Sequence, residues 1–166
     1  MVPVILSLGS NTGNREDCMA AMEEKLDKLL QGPLMKSRLM ETEPVDVVKE
    51  QPWYLNRIIK GYYSSTAREL LNRCLVIEAE LGRERPSPKA PRTADIDILL
   101  FGEEIINECG LTVPHPALLR RRFILEGLLE VAPDLCIPGI CLSVRDVISQ
   151  ISPEVRMQKI RTMNTG

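Results

Sequence analysis

Histidine is the scarcest informative residue of the chain, one in 166 positions (His115), and that alone excludes any metal site that needs two imidazoles. Aromatic side chains make up 4% of the sequence, too few for a sheet that stacks bases on exposed rings. The five cysteines (Cys18, Cys74, Cys109, Cys136, Cys141) are odd in number and contain no C-x-x-C pair. They fit neither a disulfide framework nor a structural zinc site, and read as reduced thiols of a cytoplasmic protein. No apolar run approaches the roughly 20 residues of a spanning helix, and no basic segment opens the chain, so no membrane is expected as a partner. Neither charge dominates: 21 basic against 23 acidic residues leave a formal net charge of -2, which gives no global field for a nucleic-acid backbone. The phosphate-cradling patterns G-x-x-x-x-G-K-[ST] and G-x-G-x-x-G are absent as well. Any anionic ligand must therefore be met by a local cluster.

What remains is a composition of 44% hydrophobic and 27% charged residues, enough for one core and one domain. Residues 2–8 are short and apolar and stop at Gly9-Ser10-Asn11-Thr12-Gly13-Asn14, the pattern of a buried strand with a tight loop. Asn14 is placed to cap a helix over 15–30, whose apolar residues recur at three and four until Gly32-Pro33. Residues 35–42 and 54–63 read as strands around a proline-containing loop, and Thr66 with Glu69 forms a capping box for a helix to Leu81. Residues 82–93, with three prolines and four basic side chains, are expected to form a mobile loop that closes over bound ligand. A strand over 94–101, a short piece at 105–106 pairing back on it, and helices over 116–131 and 143–151 complete the pattern. The order βαββαβ followed by helices predicts an α+β fold, a ferredoxin-like antiparallel sheet packed with helices as an α/β/α sandwich in a single domain.

Five features call for chemistry. In Ala94-Asp95-Ile96-Asp97-Ile98 the two acids share one strand face at about 6.5 to 7 Å between Cα atoms, with apolar residues on the other. Paired carboxylates repel unless a cation lies between them, and oxygen ligands suit Mg²⁺; a solvated face paired with arginines is the competing reading. Glu78 falls inside the apolar arc of its helix and needs a partner, either an arginine held for structure or a ligand. Around the acids lie Arg83, Arg85, Lys89 and Arg92, and then Arg120, Arg121 and Arg122, whose planar forks suit phosphate oxygens although each run alone also reads as a solvated face. His115 sits between two prolines beside these arginines, as a structural residue or a phosphate contact. Tyr54-Leu55-Asn56 sets an amide beside an aromatic ring, able to read a heterocycle edge or simply to start a strand. Together these favour metal-dependent phosphoryl chemistry.

In order along the chain, Leu8-Gly9-Ser10-Asn11, Thr42-Glu43-Pro44, Tyr54-Leu55-Asn56, Glu78 with Gly82-Arg83, Pro91-Arg92-Thr93-Ala94-Asp95-Ile96-Asp97-Ile98-Leu99, Leu111-Thr112-Val113-Pro114-His115-Pro116, Arg121 and Phe123 resemble the 6-hydroxymethyl-7,8-dihydropterin pyrophosphokinase family. The match covers about residues 4–150. The resemblance implies a ferredoxin-like α+β fold, with residues 1–152 as the pyrophosphokinase domain and 153–166 as a C-terminal tail. It implies transfer of the β,γ-diphosphate of ATP to a pterin hydroxymethyl group in folate biosynthesis, with AMP released. Asp95 and Asp97 would hold two Mg²⁺ ions. Arg83 and Arg92 would act with them in the transfer, while Glu78, Ile98, Thr112, His115 and Arg121 would join those arginines around ATP. Thr42, Pro44, Tyr54, Asn56, Asp95 and Phe123 would take the pterin. The partners implied are the two small substrates, with no nucleic acid and no membrane, and the protein is expected to be a cytoplasmic monomer. Lys89-Ala90 stands where many relatives carry an aromatic-glycine pair, and Gly110 where some carry arginine. Two other classes compete with this one. A silent binding module need not keep Arg83, Arg92 and both aspartates, and a small RNA-binding domain on the same scaffold needs a basic, aromatic sheet.

Overall fold

The computed structural model describes residues 1–44, 52–82 and 94–163. The expectations placed on the loop 82–93, including Arg83, Arg85, Lys89 and Arg92, lie from residue 83 onward outside the described residues, as does most of the loop after Pro44.

Strand β1 (Val2–Ser10) is apolar on both faces because it is central: it pairs antiparallel with β4 (Tyr54–Tyr63) on one side and β5 (Asp95–Phe101) on the other. Helix α1 (Arg15–Leu29) starts where Asn14 accepts the Asp17 amide at 3.0 Å, and buries Cys18, Met19, Met22 and Leu26. Helix α2 (Ala67–Glu80) starts at Thr66, whose side chain accepts the Glu69 amide. The capping box is half formed, since Glu69 gives its carboxylate to Tyr63 and Ser65.

The single strand expected over 35–42 is two, β2 (Gln31–Lys36) and β3 (Met40–Thr42), both on β4. Ser37 divides them: its hydroxyl takes the Ile58 amide at 2.9 Å, a bond that a continuous ladder would give to backbone. The last strand, β8 (Ile160–Thr162), pairs with β3, so the sheet order is β5-β1-β4-β3-β8 with β2 beside β3 on β4. Its first four strands follow the expected split βαβ topology. Beyond residue 152, helix α5 (Pro153–Arg156) and β8 follow, and β8 pairs with β3 in the sheet.

Alternation along the strands sends side chains to two cores. Val4, Leu6, Leu8, Leu55, Ile59, Ile96 and Ile98 pack under α1 and α2. Ile5, Met40, Ile58 and Leu99 pack under α3 (Arg122–Val131) and α4 (Val144–Ser149). Gly127 has no Cβ at the point where α3 lies against Ile58. The strict alternation expected along β5 fails at its end, where the register slips opposite Ile5/Leu6. Leu99 and Leu100 both reach the α3 core, and Phe101 turns to the α1/α2 core instead of continuing the aspartate face.

The helix expected from 116 starts only at Arg122, because the Ala117 amide is taken by the His115 side chain and the intervening residues form turns. The piece at 105–106 does not pair back on β5. Strand β6 (Ile106–Glu108) joins β7 (Leu111–Val113) in a separate hairpin turning at Cys109-Gly110. No cysteine is in a disulfide, and among the described residues no helix is long and apolar enough to cross a membrane.

Candidate active site

The strand registers set one row of residues across the sheet: Asp95 on β5 faces Gly9 on β1, Gly9 faces Asn56 on β4, and Asn56 faces Met40 on β3. In the next row Asp97 faces Ser7. A cavity of about 1020 Å³ opens above these rows, lined by Ser7, Gly9, Asn56, Asp95 and Asp97 from the strands. Pro44 and Tyr54 close it on one side, and His115, Arg121 and Phe123 on the other. The two cores fill the rest of the sheet, so these polar residues sit where the α3 side is left uncovered.

Asn56 is 4% exposed and does not hang loose: its Nδ2 donates to Thr42 Oγ1 at 2.5 Å. Thr42 is itself buried and accepts that bond from beside the cavity, whose lining does not include it. Gly9 is required beneath it, since a Cβ there would come within 2.9 Å of Asn56 Oδ1. The Asn56 carbonyl oxygen is thus set over bare backbone, with one amide hydrogen spoken for.

His115 follows a cis Val113–Pro114 bond, and its own amide donates to Leu99 O at 3.0 Å. Its Nδ1 accepts the Ala117 amide at 3.0 Å. That bond leaves the neutral ring's proton on Nε2, the nitrogen 3.8 Å from Asp97 Oδ1. Burial pushes the His115 pKa down, against an opposing pull from the Asp95 charge. The ring is therefore a neutral Nε2–H donor at pH 7.

Glu78, read from sequence as needing an arginine or a ligand, has a backbone partner. At 3% exposure, its Oε2 accepts the Ile96 amide at 2.8 Å. Ile96 lies between the two aspartates, so this buried carboxylate ties α2 to the strand segment that presents them. Its charge, after burial itself, helps push the Cys74 thiol up to about 12.

Ile98 and Thr112 do not join the main cavity. They line an adjoining one of about 240 Å³ with Leu71, Leu111 and His115, and Asp97 and His115 border both. The sequence missed the far wall altogether: Ser152, Glu154, Val155 and Gln158 line the main cavity from the C-terminal segment. Only the scattered polar residues of that segment could have drawn attention to it.

Arg121 reaches the cavity with its guanidinium carbon 5.0 Å from the Phe123 ring centre. Among the described residues no group of three or more His, Cys, Asp or Glu side chains could hold a metal ion. The donor set is a carboxylate pair, which fits Mg²⁺: a hard ion that keeps waters and takes phosphate oxygens for the rest of its shell.

The family model described as 7,8-dihydro-6-hydroxymethylpterin-pyrophosphokinase matches residues 5–133. The chain is 38% identical over 148 residues to the folic acid synthesis protein fol1 of Pneumocystis carinii, covering 89% of this chain and 20% of that protein. It is 36% identical over 146 residues to the 2-amino-4-hydroxy-6-hydroxymethyldihydropteridine pyrophosphokinase of Aquifex aeolicus, covering 83% of this chain and 85% of the relative. It thus spans a fifth of the fungal protein but most of the bacterial one. Among solved structures it is similar to Plasmodium falciparum HPPK-DHPS wild type with SDX-DHP, at a TM-score of 0.69 and 13% identity, covering 89% of this chain and 44% of that one. At that identity the likeness concerns the fold.

Proposed function

The chain belongs to the 7,8-dihydro-6-hydroxymethylpterin-pyrophosphokinase family, and from that membership we propose that it moves the β,γ-diphosphate of ATP onto the hydroxymethyl group of 6-hydroxymethyl-7,8-dihydropterin, in folate biosynthesis. The observation that supports this reading is the row Asp95–Gly9–Asn56, which sets a carboxylate beside a fixed amide on the floor of one cavity.

On this reading the pterin lies over Gly9. Asn56, held by Thr42, meets its polar edge, Phe123 stacks on its ring, and Pro44 and Tyr54 close around it. Asp95 stands between the two substrates. Asp95 and Asp97 would hold two Mg²⁺ ions, which when bound would neutralise the charge of the phosphate oxygens. His115 donates its Nε2 proton to a phosphate oxygen, and with Nδ1 already accepting the Ala117 amide it is not a base for the substrate hydroxyl. Arg121 adds a fixed positive charge, and Arg83 and Arg92 add theirs from the sequence motif. Ile98 and Thr112 serve the nucleotide end through the adjoining cavity, and Glu78 does so from beneath β5.

In the transfer the hydroxymethyl oxygen bonds to Pβ while the bond from Pβ to the α–β bridging oxygen breaks. AMP leaves with that oxygen, and the hydroxyl proton goes to solvent. The reading includes a cytoplasmic monomer with these two small molecules as its only substrates. Incubation with ATP, Mg²⁺ and the hydroxymethyl dihydropterin should release one AMP per pterin consumed. Accumulation of ADP in that proportion would overturn the reaction class.

A further inference from the structure

Arg121 is the N-cap residue of α3, with extended backbone (φ -119, ψ 118) and no side-chain cap bond. A helix start needs acceptors for its first amides, and an arginine side chain has none to offer. The acceptor comes from the C-terminal segment. Gln158 Oε1 accepts the Arg122 amide at 2.9 Å, and Gln158 Nε2 donates to the Arg120 carbonyl at 2.7 Å. One side-chain amide therefore grips the residues immediately before and after Arg121. The Arg122 guanidinium returns the contact, donating to the carbonyls of Gln158 at 2.9 Å and Arg156 at 3.3 Å.

The same segment is anchored at its other end. The Lys159 amide donates to Glu43 Oε1 at 3.1 Å, and β8 then zips onto β3. Arg161 pairs with Glu41 at 2.7 Å and lies 4.1 Å over the Trp53 ring. Residues 152–162 thus form a strap from the Glu43-Pro44 wall of the cavity to the Arg121 corner.

We propose that Gln158 is a positioning residue for the diphosphate transfer: acting as a cap supplied from elsewhere in the chain, it fixes the direction in which Arg121 meets the phosphates. This deepens the proposed function and rests on its placing of Arg121 at ATP. Gln158→Met keeps the length and loses both bonds, and Gln158→Glu keeps the acceptor for Arg122 while losing the donor to Arg120. Gln158→Met should lower kcat by about tenfold or more, with the pterin KM unchanged, and Gln158→Glu should recover part of the loss. Met157→Ala, at a neighbouring side chain 79% exposed, should behave as wild type.

The deciding measurement is a double-mutant cycle with Arg121→Ala. If Gln158 works through Arg121, adding Gln158→Met to Arg121→Ala changes kcat no further. An equal fold-loss in both backgrounds, or an unchanged kcat in Gln158→Met, overturns the proposal. Calorimetric titration with inorganic tripolyphosphate repeats the cycle without turnover. Coupling there supports positioning even if the wild type were to release no AMP, an outcome that would count against the proposed reaction alone, whereas additivity there overturns it. Should Gln158→Met fold poorly, the same cycle with Gln158→Glu decides.

Discussion

Asn56 and Gly9 face each other across β4 and β1, so close that a methyl group on Gly9 would come within 2.9 Å of the Asn56 amide oxygen. Asn56 is buried and tied to Thr42, and has little room to retreat. Gly9→Ala should tilt the amide and raise the KM for the pterin by about tenfold to a hundredfold, the worth of one or two polar contacts. The KM for ATP should stay within about twofold, since uniform loss of binding is confined to one substrate. Steady-state kinetics with each substrate varied would check it, and an unchanged pterin KM would remove Asn56 from recognition.

Asp97→Asn should cut Mg²⁺-dependent turnover by at least about a hundredfold, because a metal held by a carboxylate pair supplies several kcal/mol of charge stabilisation. Stability without metal should hold or rise, as one of two like charges on a shared face is gone. Thermal unfolding beside an AMP assay separates the two effects. A variant that kept its activity would return the pair to a structural role.

The buried bond from Glu78 to the Ile96 amide makes a different demand. Glu78→Ala leaves that amide without this acceptor and should destabilise the fold by about 1–3 kcal/mol. Glu78→Gln keeps an acceptor of the same reach and should cost less. Urea unfolding of both variants is the test, and equal losses would show that the charge, not the hydrogen bond, matters there.

His115 offers a pH signature that is simple to read because no other imidazole is present. Burial sets its folded pKa below the ordinary 6.5. Between the folded value and 6.5 the unfolded chain binds more protons, so stability rises with pH in that window, is complete above 6.5 and is lost as pH falls through it. The imidazole resonance should titrate with a midpoint below 6.5. His115→Asn should lose less stability than wild type between pH 7.5 and 5.5. A midpoint at or above 6.5 would contradict the assigned environment.

What the sequence revealed followed from periodicity. Asp95 and Asp97 could be put on one face because side chains alternate along any strand, and Asn14 and Thr66 announced their helices because a cap acts on amides two or three residues away. What stayed hidden acts at long range. The slip at Leu99 depends on which residues of β1 lie opposite, and no local pattern marks it. One partner of Glu78, the Ile96 amide, is 18 residues away on another element, and it is a backbone group, which no residue type betrays. The start of α3 has no mark in the periodicity, since the His115 side chain delays it by taking the Ala117 amide and the Gln158 cap that opens it lies 36 residues downstream. The bond from Asn56 to Thr42 was not legible either, since that relation exists only once β3 and β4 pair.

The strap has a consequence for the order in which the molecule assembles. The Glu43 wall and the Lys159 amide that binds it are separated by 116 residues, and closing so long a loop is entropically slow compared with forming hairpins and helices. The split βαβ sheet can form with both aspartates, Gly9 and Asn56 already aligned while the corner bearing Arg121 still lacks its cap. Floor and Arg121 corner can then form as separate events, and a chain whose strap has not docked would hold the Asp95–Gly9–Asn56 floor of its cavity before that corner was set.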